Sequence, residues 1–149
     1  MTYNKKMIEL KPSEQLWEFY DFVFPNGNDP IEDWYSGLDE DGQNRFDNLL
    51  KNDRKVEIPR HWLGFKRFLK GNEFQKYGLW ELEFVAQGRQ QRVLGVFGSK
   101  RKQAIFLVGC YHKQNVYTPP GALETAIRRA KLLKKGGARL HERKIKLHL

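Results

Sequence analysis

The chain has a single cysteine, Cys110, and no apolar run long enough to span a membrane. A lone cysteine cannot form an internal disulfide, and its place within an apolar run predicts a buried thiol without a catalytic role. The first residues, MTYNKKMIELKPSE, lack the apolar core of a secretion signal. Together these absences predict a cytoplasmic protein that makes no contact with a membrane.

The sequence also lacks the motifs of common metal and nucleotide sites. It contains no CxxC, no HExxH and no GxxxxGK[ST], which argues against a zinc site and against a phosphate-binding loop. Glu81 and Glu83 could hold a metal ion, as carboxylate pairs do in many nucleases. The alternative, which we favour, is that both lie on the solvent face of a strand, because apolar residues alternate with them.

Acidic residues are scarce in the C-terminal part of the chain. Residues 1–85 carry 12 Lys and Arg against 16 Asp and Glu, whereas residues 86–149 carry 15 Lys and Arg with only Glu124 and Glu142. The second segment therefore has a net charge of +13, and it repels itself unless a polyanion or an acidic partner neutralises it. Nucleic acid is the favoured partner. A solvated basic face without a specific ligand is the alternative.

The composition suits one folded domain, since 40% of the 149 residues are hydrophobic and 30% are charged. Apolar spacing predicts a helix over residues 13–24, capped by Ser13. The turn-forming residues 25–30 predict a boundary between an N-terminal helical appendage, residues 1–30, and a main domain, residues 31–149. Two further helices are predicted, one over residues 38–51 and a short one that starts near Trp62 and ends at Gly71.

Strands are predicted downstream, over residues 80–85, 92–97 and 104–111, with a hairpin turn at 98–102. The third run is nearly all apolar, which is typical of a central strand covered on both faces. Pro119 and Pro120 then open a helix that Gly136 and Gly137 end. The alternating residues 144–149 predict a short edge strand.

Polar side chains near these strands are the candidate functional residues. Arg92 starts a strand, where its guanidinium could bind a phosphate through two parallel hydrogen bonds. It could equally pair with Glu81 or Glu83 across the strands. His112 and Lys113 follow the central strand beside Tyr111, where a rigid scaffold meets solvent. Histidine titrates near neutral pH, although a surface histidine in a turn is the alternative.

Several segments, taken in order, resemble a known family. They are Gly78-Leu79-Trp80-Glu81-Leu82, Arg92-Val93-Leu94, Ile105-Phe106-Leu107-Val108, Tyr111-His112-Lys113, Thr118-Pro119 and Glu124-Thr125-Ala126. Their order and spacing resemble the RelE/HigB-like toxins of type II toxin–antitoxin systems, above all the phage-derived HigB-type branch. The segment from Asp33 to Leu38 is similar to that group's first helix. The resemblance covers about residues 31–135.

This resemblance implies an α+β fold, in which N-terminal helices pack on a small twisted antiparallel sheet with a C-terminal helix. It implies a toxin that cleaves messenger RNA on the ribosome by attack of the 2′-hydroxyl, without a metal or an organic cofactor. A helix-turn-helix antitoxin would silence it.

The resemblance also assigns roles to residues. Arg92 and Lys113 would bind the phosphate, His112 or Lys113 would take the 2′-proton, and Tyr111 would stack on a base. Basic residues expected to contact RNA are Arg89, Lys100, Arg101, Lys102 and Arg128.

Two positions depart from the family pattern. Glu83 is acidic where the family usually has a basic residue, and His112-Lys113 replaces a pair of lysines. Both departures favour the alternative function, a protein that binds nucleic acid or an antitoxin without cleaving RNA.

Overall fold

A computed structural model describes residues 15–146 of the chain. This part forms seven strands and four α-helices. The strands are β1 (Glu18–Val23), β2 (Phe65–Phe68), β3 (Trp80–Ala86), β4 (Arg89–Phe97), β5 (Gln103–Lys113), β6 (Val116–Thr118) and β7 (Arg139–Glu142). The helices are α1 (Pro30–Ser36), α2 (Glu40–Asp53), α3 (Asn72–Tyr77) and α4 (Ala122–Lys134), and a 3₁₀ turn at Pro59–His61 precedes β2.

All seven strands join one mixed sheet in the order β2-β3-β4-β5-β1-β7, and β6 pairs with the end of β5. The pairing of β1 with β5 is parallel, and the other pairings are antiparallel. The central strand β5 is 11 residues long. Its Ala104–Val108 segment is buried, because the strand has neighbours on both sides and helices over both faces.

Helices cover both faces of the sheet. On one face α1 and α2 bury Tyr35 and Phe46 against the strand residues Trp80 and Phe106. On the other face α4 buries its apolar stripe, which includes Ile127, and α3 adds partly buried aromatic residues. The sheet is therefore the middle layer between two apolar clusters.

This architecture corrects the predicted fold class. The sequence predicted N-terminal helices over a small antiparallel sheet, but the described chain forms a seven-stranded mixed sheet with helices in the middle and near the C-terminus. The parallel pairing of β1 with β5 makes the sheet mixed and larger than predicted.

The helix predicted over residues 13–24 is wrong where the structure describes it, since residues 18–23 form β1. Ser13, its predicted cap, lies outside the described residues. Phe19 and Phe22 are three residues apart, which is typical of a helix face. In the strand they point to opposite sides, Phe19 into the α1–α2 cluster and Phe22 into the α4 cluster. A strand buried on both faces loses the alternation that would identify it.

The short helix predicted between Trp62 and Gly71 is also wrong. Residues 65–68 form the edge strand β2, and the helix α3 begins only at Asn72. The other predicted elements are confirmed with shifts of a few residues: α2, β3, β4, β5, the hairpin turn at 98–102 and α4. Helix α4 starts at Ala122, after the two prolines, and Gly136 follows its end with a positive φ of 76°.

The last described strand, β7, spans residues 139–142, whereas a strand was predicted over 144–149. Residues 143–146 are not in a strand, and Leu147–Leu149 lie outside the described residues. Arg143 fixes this segment to the sheet through Asp21, with Nε 3.0 Å from Oδ1 and Nη2 bound to Oδ2. Glu32 Oε2 lies 2.7 Å from the same Nη2.

None of the helices within residues 15–146 has the length and apolar character needed to cross a membrane.

Candidate functional site

A group of polar side chains lies on the α4 face of the sheet, near the end of β5. Arg92 is paired in register with Glu83 on β3, and Gln90, two residues earlier, is paired with His112. His112 is in turn paired with Tyr117 on β6. Residues directly opposite one another share a face of the sheet. We call this group the Glu81 cluster and define it as Arg67, Glu81, Glu83, Gln90, Arg92, His112 and Tyr117.

Glu81 is the centre of the cluster and is fully buried. One carboxylate oxygen, Oε1, accepts a hydrogen bond from Arg92 Nη1 and lies 3.5 Å from Nε of the half-exposed Arg67. The other oxygen, Oε2, accepts a hydrogen bond from the hydroxyl of Tyr117. A buried carboxylate requires this number of partners because water cannot solvate it.

Arg92 is paired with two carboxylates. Besides Glu81, its Nη2 lies 2.8 Å from Glu83 Oε2 and donates to Gln90 Oε1 at 3.3 Å. Its side chain is only 4% exposed. The cross-strand ion pair, one of the two interpretations drawn from the sequence, is therefore the arrangement found, and the guanidinium is buried rather than placed at the surface.

His112 lies at the edge of the cluster and packs edge-on against Tyr117, with 4.2 Å between the ring centroids. Its Nε2 is buried and finds no hydrogen-bond partner within residues 15–146. Burial lowers the pKa of His112, and the positive charge of Arg92 lowers it further. The imidazole is therefore largely neutral at pH 7, with a ring nitrogen that no described group uses.

Tyr117, like Arg67 and Gln90, is a residue of this cluster that the sequence analysis did not select. Burial raises the pKa of Tyr117, and the hydrogen bond to Glu81 raises it further, so the hydroxyl stays protonated. A two-residue turn, Gln114-Asn115 with φ of 52° and 64°, folds β6 back onto β5 and brings Tyr117 opposite His112. Positive φ at both turn residues is typical of a tight hairpin, and the asparagine, which tolerates this conformation, was the sequence signal that could have located Tyr117.

The structure separates the predicted catalytic residues. Side chains alternate along a strand, so Tyr111 and Lys113 point away from the face that carries Arg92 and His112. The guanidinium of Arg89 lies 4.4 Å from the centre of the Tyr111 ring, and Lys113 is exposed. Arg92 and His112 thus share the cluster, whereas Tyr111, Lys113 and Arg89 form a second group across the sheet.

The remaining predicted RNA-binding residues lie elsewhere. Lys100 and Arg101 are exposed in the β4–β5 turn, where Arg101 Nη2 is 3.5 Å from Glu57 Oε1. Lys102 is buried, and its Nζ donates to the carbonyl of Gln15 at 2.7 Å. These residues precede β5, whereas His112 is its second-to-last residue, a separation of about 30 Å at roughly 3.3 Å per residue.

Arg128, the last predicted RNA contact, is exposed on α4. Its Nη2 donates to the hydroxyl of Thr125 at 3.0 Å. A hydrogen bond within one helix turn leaves the rest of the guanidinium in solvent, so the side chain remains accessible to an anion.

Carboxylates that could bind a metal are already engaged by arginine. Glu81 and Glu83 both contact Arg92. Asp21, Asp29 and His141 lie close enough for their ligand atoms to share an ion, but Arg143 occupies both oxygens of Asp21. A guanidinium group in either position repels a cation. Neither the Glu81–Glu83 pair nor the group of Asp21, Asp29 and His141 is therefore suited to a metal ion.

The comparisons with known proteins agree with the phage-derived character that the motif order implied. No curated protein and no solved structure matches the chain. The family described as "Phage derived protein Gp49-like (DUF891)" matches residues 33–131, a span that runs from within α1 to within α4 and contains the whole Glu81 cluster. Since this match covers more than half of the 149 residues, the chain belongs to the Gp49-like family of phage-derived proteins, which is associated with toxin–antitoxin systems.

Proposed function

We propose that the protein is the toxin of a toxin–antitoxin pair and acts in the cytoplasm as a ribosome-dependent mRNA endoribonuclease. The observation that supports this activity is the contact between a neutral imidazole and a protonated phenol in the Glu81 cluster. RNA cleavage through the 2′-hydroxyl needs a base that is unprotonated at neutral pH, and His112 meets that requirement. The family's association with toxin–antitoxin systems supports the biological setting.

His112 is the proposed general base. Its partly buried imidazole takes the proton of the 2′-hydroxyl while the 2′-oxygen attacks the adjacent phosphorus. The bond from phosphorus to the 5′-oxygen breaks, and the imidazolium returns the proton to that oxygen. The products are a 2′,3′-cyclic phosphate and a free 5′-hydroxyl, and the histidine ends neutral.

Charge builds up on the phosphoryl oxygens during this step, and preorganised donors stabilise it. Arg67 is the suitable cation, because it borders the cluster and its side chain is 53% exposed. Arg92 takes a different part from the one predicted. It is a positioning residue that holds Glu81 and Glu83, and Glu81 in turn holds the hydroxyl of Tyr117 beside His112.

The test is cleavage of messenger RNA on programmed ribosomes by the purified protein and its variants. We expect His112→Ala to lower the cleavage rate about 10²–10⁴-fold, the range for loss of a general base. Lys51→Ala, which removes an exposed charge on α2, is the control and should cleave at the wild-type rate. If His112→Ala kept full activity and Lys113→Ala lost it, the catalytic group would lie on the opposite face of the sheet. That result would refute the assignment of His112 as the general base.

A second function is a protein that binds nucleic acid or an antitoxin without cutting RNA. The observation in its favour is the pairing of Arg92 with two carboxylates, which removes the strand arginine as a phosphate ligand. Messenger RNA that stays intact on ribosomes at high protein concentration would support this function over the first.

The proposed partner in both cases is a helix-turn-helix antitoxin. The proposal predicts a small reading frame for such a protein next to the gene, and a stable complex when both are expressed together. If the neighbouring product does not bind the chain in size-exclusion chromatography, this pairing is wrong.

A further inference from the structure

A cavity of about 500 Å³ borders the Glu81 cluster on the side of β2, α3 and the start of α4. Its wall includes Arg67, Phe68, Lys70, Phe74, Tyr117 and Leu123. Pockets that bind small organic groups span roughly 300–1,000 Å³. The cavity therefore has room for one nucleotide.

The lining combines cations with aromatic rings. Arg67 and Lys70 are exposed, while Phe74 and Tyr117 are partly buried, so charge lies toward solvent and ring surface lies deeper. None of the described residues that line the cavity is acidic. The carboxylate of Glu81, which contacts the lining residues Arg67 and Tyr117, is buried and also bound by Arg92. The charge of the cavity is thus complementary to a phosphate.

We propose that this cavity binds one nucleotide of single-stranded RNA. The base packs against Phe74 and Tyr117, and Arg67 and Lys70 bind its phosphate. Proteins recognise single-stranded RNA by this pairing of aromatic surface with basic side chains, since unpaired bases expose their ring faces.

The position of the cavity connects it to the chemistry. Tyr117 lines the cavity and its ring also contacts His112. A nucleotide held there packs against Tyr117, the residue whose ring is in contact with the imidazole of His112. This inference rests on the proposed function for its substrate class, but it assigns a separate binding step that can be measured without ribosomes and without cleavage.

The experiment is fluorescence anisotropy of a 5′-labelled RNA hexamer with the intact chain. The test variants are Lys70→Ala combined with Arg67→Ala, and Phe74→Leu, which keeps apolar volume but removes the ring. The control combines Lys51→Ala with Lys55→Ala, which removes the same charge from exposed positions around the end of α2. Thermal melts of every variant show whether it is folded.

We expect the double cavity variant to bind the hexamer at least tenfold more weakly than the wild type. The slope of log Kd against log salt concentration should also fall by about one. Phe74→Leu should weaken binding about fivefold or more, and the control should change it less than threefold. A duplex of the same sequence and a free nucleoside monophosphate should bind more weakly than the hexamer, because the first hides its bases and the second lacks neighbouring phosphates.

Two outcomes would overturn the inference. The first is a hexamer that binds the wild type but binds the folded cavity variants equally well. The second is no hexamer binding at physiological salt with protein in the millimolar range. Either result would leave cleavage on ribosomes open, so failure of the cavity and failure of the endoribonuclease are separate results.

Discussion

Removal of Arg92 should destabilise the protein far more than removal of an exposed arginine. Glu81 has no exposed surface and depends on Arg92, Tyr117 and Arg67 for its partners. In Arg92→Met the apolar side chain fills much of the space, but the buried carboxylate loses its strongest partner. Breaking a buried ion pair in this way costs about 3–5 kcal/mol.

The lower end of that range applies here. Tyr117 still donates to one oxygen of Glu81, and Arg67 remains 3.5 Å from the other. We therefore expect the free energy of unfolding to fall by about 3 kcal/mol. For a chain of this length that corresponds to a lower Tm by about 6–12 °C.

Urea unfolding, followed by tryptophan fluorescence, measures this change. Arg45→Met is the control because Arg45 Nε lies 2.8 Å from Asp41 Oδ2, but both side chains are more than half exposed. An exposed pair of this kind contributes about 0.3–0.5 kcal/mol. If the free energy of unfolding fell in the two variants by amounts within 1 kcal/mol of each other, the argument that Arg92 balances a buried charge would be refuted.

A double variant tests the pairing itself. Arg92→Met combined with Glu81→Gln removes both charges, so its loss should be smaller than the sum of the two single losses by about 1–3 kcal/mol. Additive losses would mean that the two side chains stabilise the fold independently and that the ion pair carries no energy.

Three further predictions follow from other parts of the structure. The pKa of His112 is below its usual 6.5 in the folded chain, so the unfolded chain binds the proton more tightly and the free energy of unfolding falls as pH drops below about 6.5. His112→Gln should make the free energy of unfolding, measured by urea titration, depend less steeply on pH. An equal slope in the variant and the wild type would contradict this prediction. Burial raises the pKa of Cys110 to about 12, so a thiol reagent should label it only after denaturation. A Cβ on Gly109 would overlap the indole of Trp34, so Gly109→Ala should cost about 1–3 kcal/mol in urea unfolding, while the exposed Ser99→Ala should change stability little.

The sequence predicted β3, β4 and β5 better than it predicted β1 and β2. β3, β4 and β5 follow one another with clear turns between them, and local alternation identifies each strand. β1 was predicted as a helix because its partner residues in β5 lie 85 positions further along the chain, and no local pattern reports such a pairing. β2 is only four residues long, which is too short to show alternation.

The site was predicted in part, for a related reason. Arg92 and His112 were both selected from the sequence, and the structure places them on one face of the sheet. Tyr111 and Lys113 were grouped with His112 because they are adjacent in sequence, since the strand was expected to end at residue 111. The strand continues to Lys113. Because side chains alternate along a strand, Tyr111 and Lys113 lie on the face opposite that of His112.

Glu83 links the charge pattern of the sequence to the proposed chemistry. An acidic residue in this strand was the departure that most favoured a protein without catalytic activity. In the structure Glu83 and Glu81 together neutralise Arg92, and Lys66 Nζ lies 3.6 Å from Glu83 Oε2. The cluster thus has a charge-balanced interior, and its accessible positive charge lies on Arg67 and Lys70 at the border. The phosphate contacts proposed beside this cluster therefore come from residues upstream of the basic C-terminal segment, where the sequence offered no reason to look.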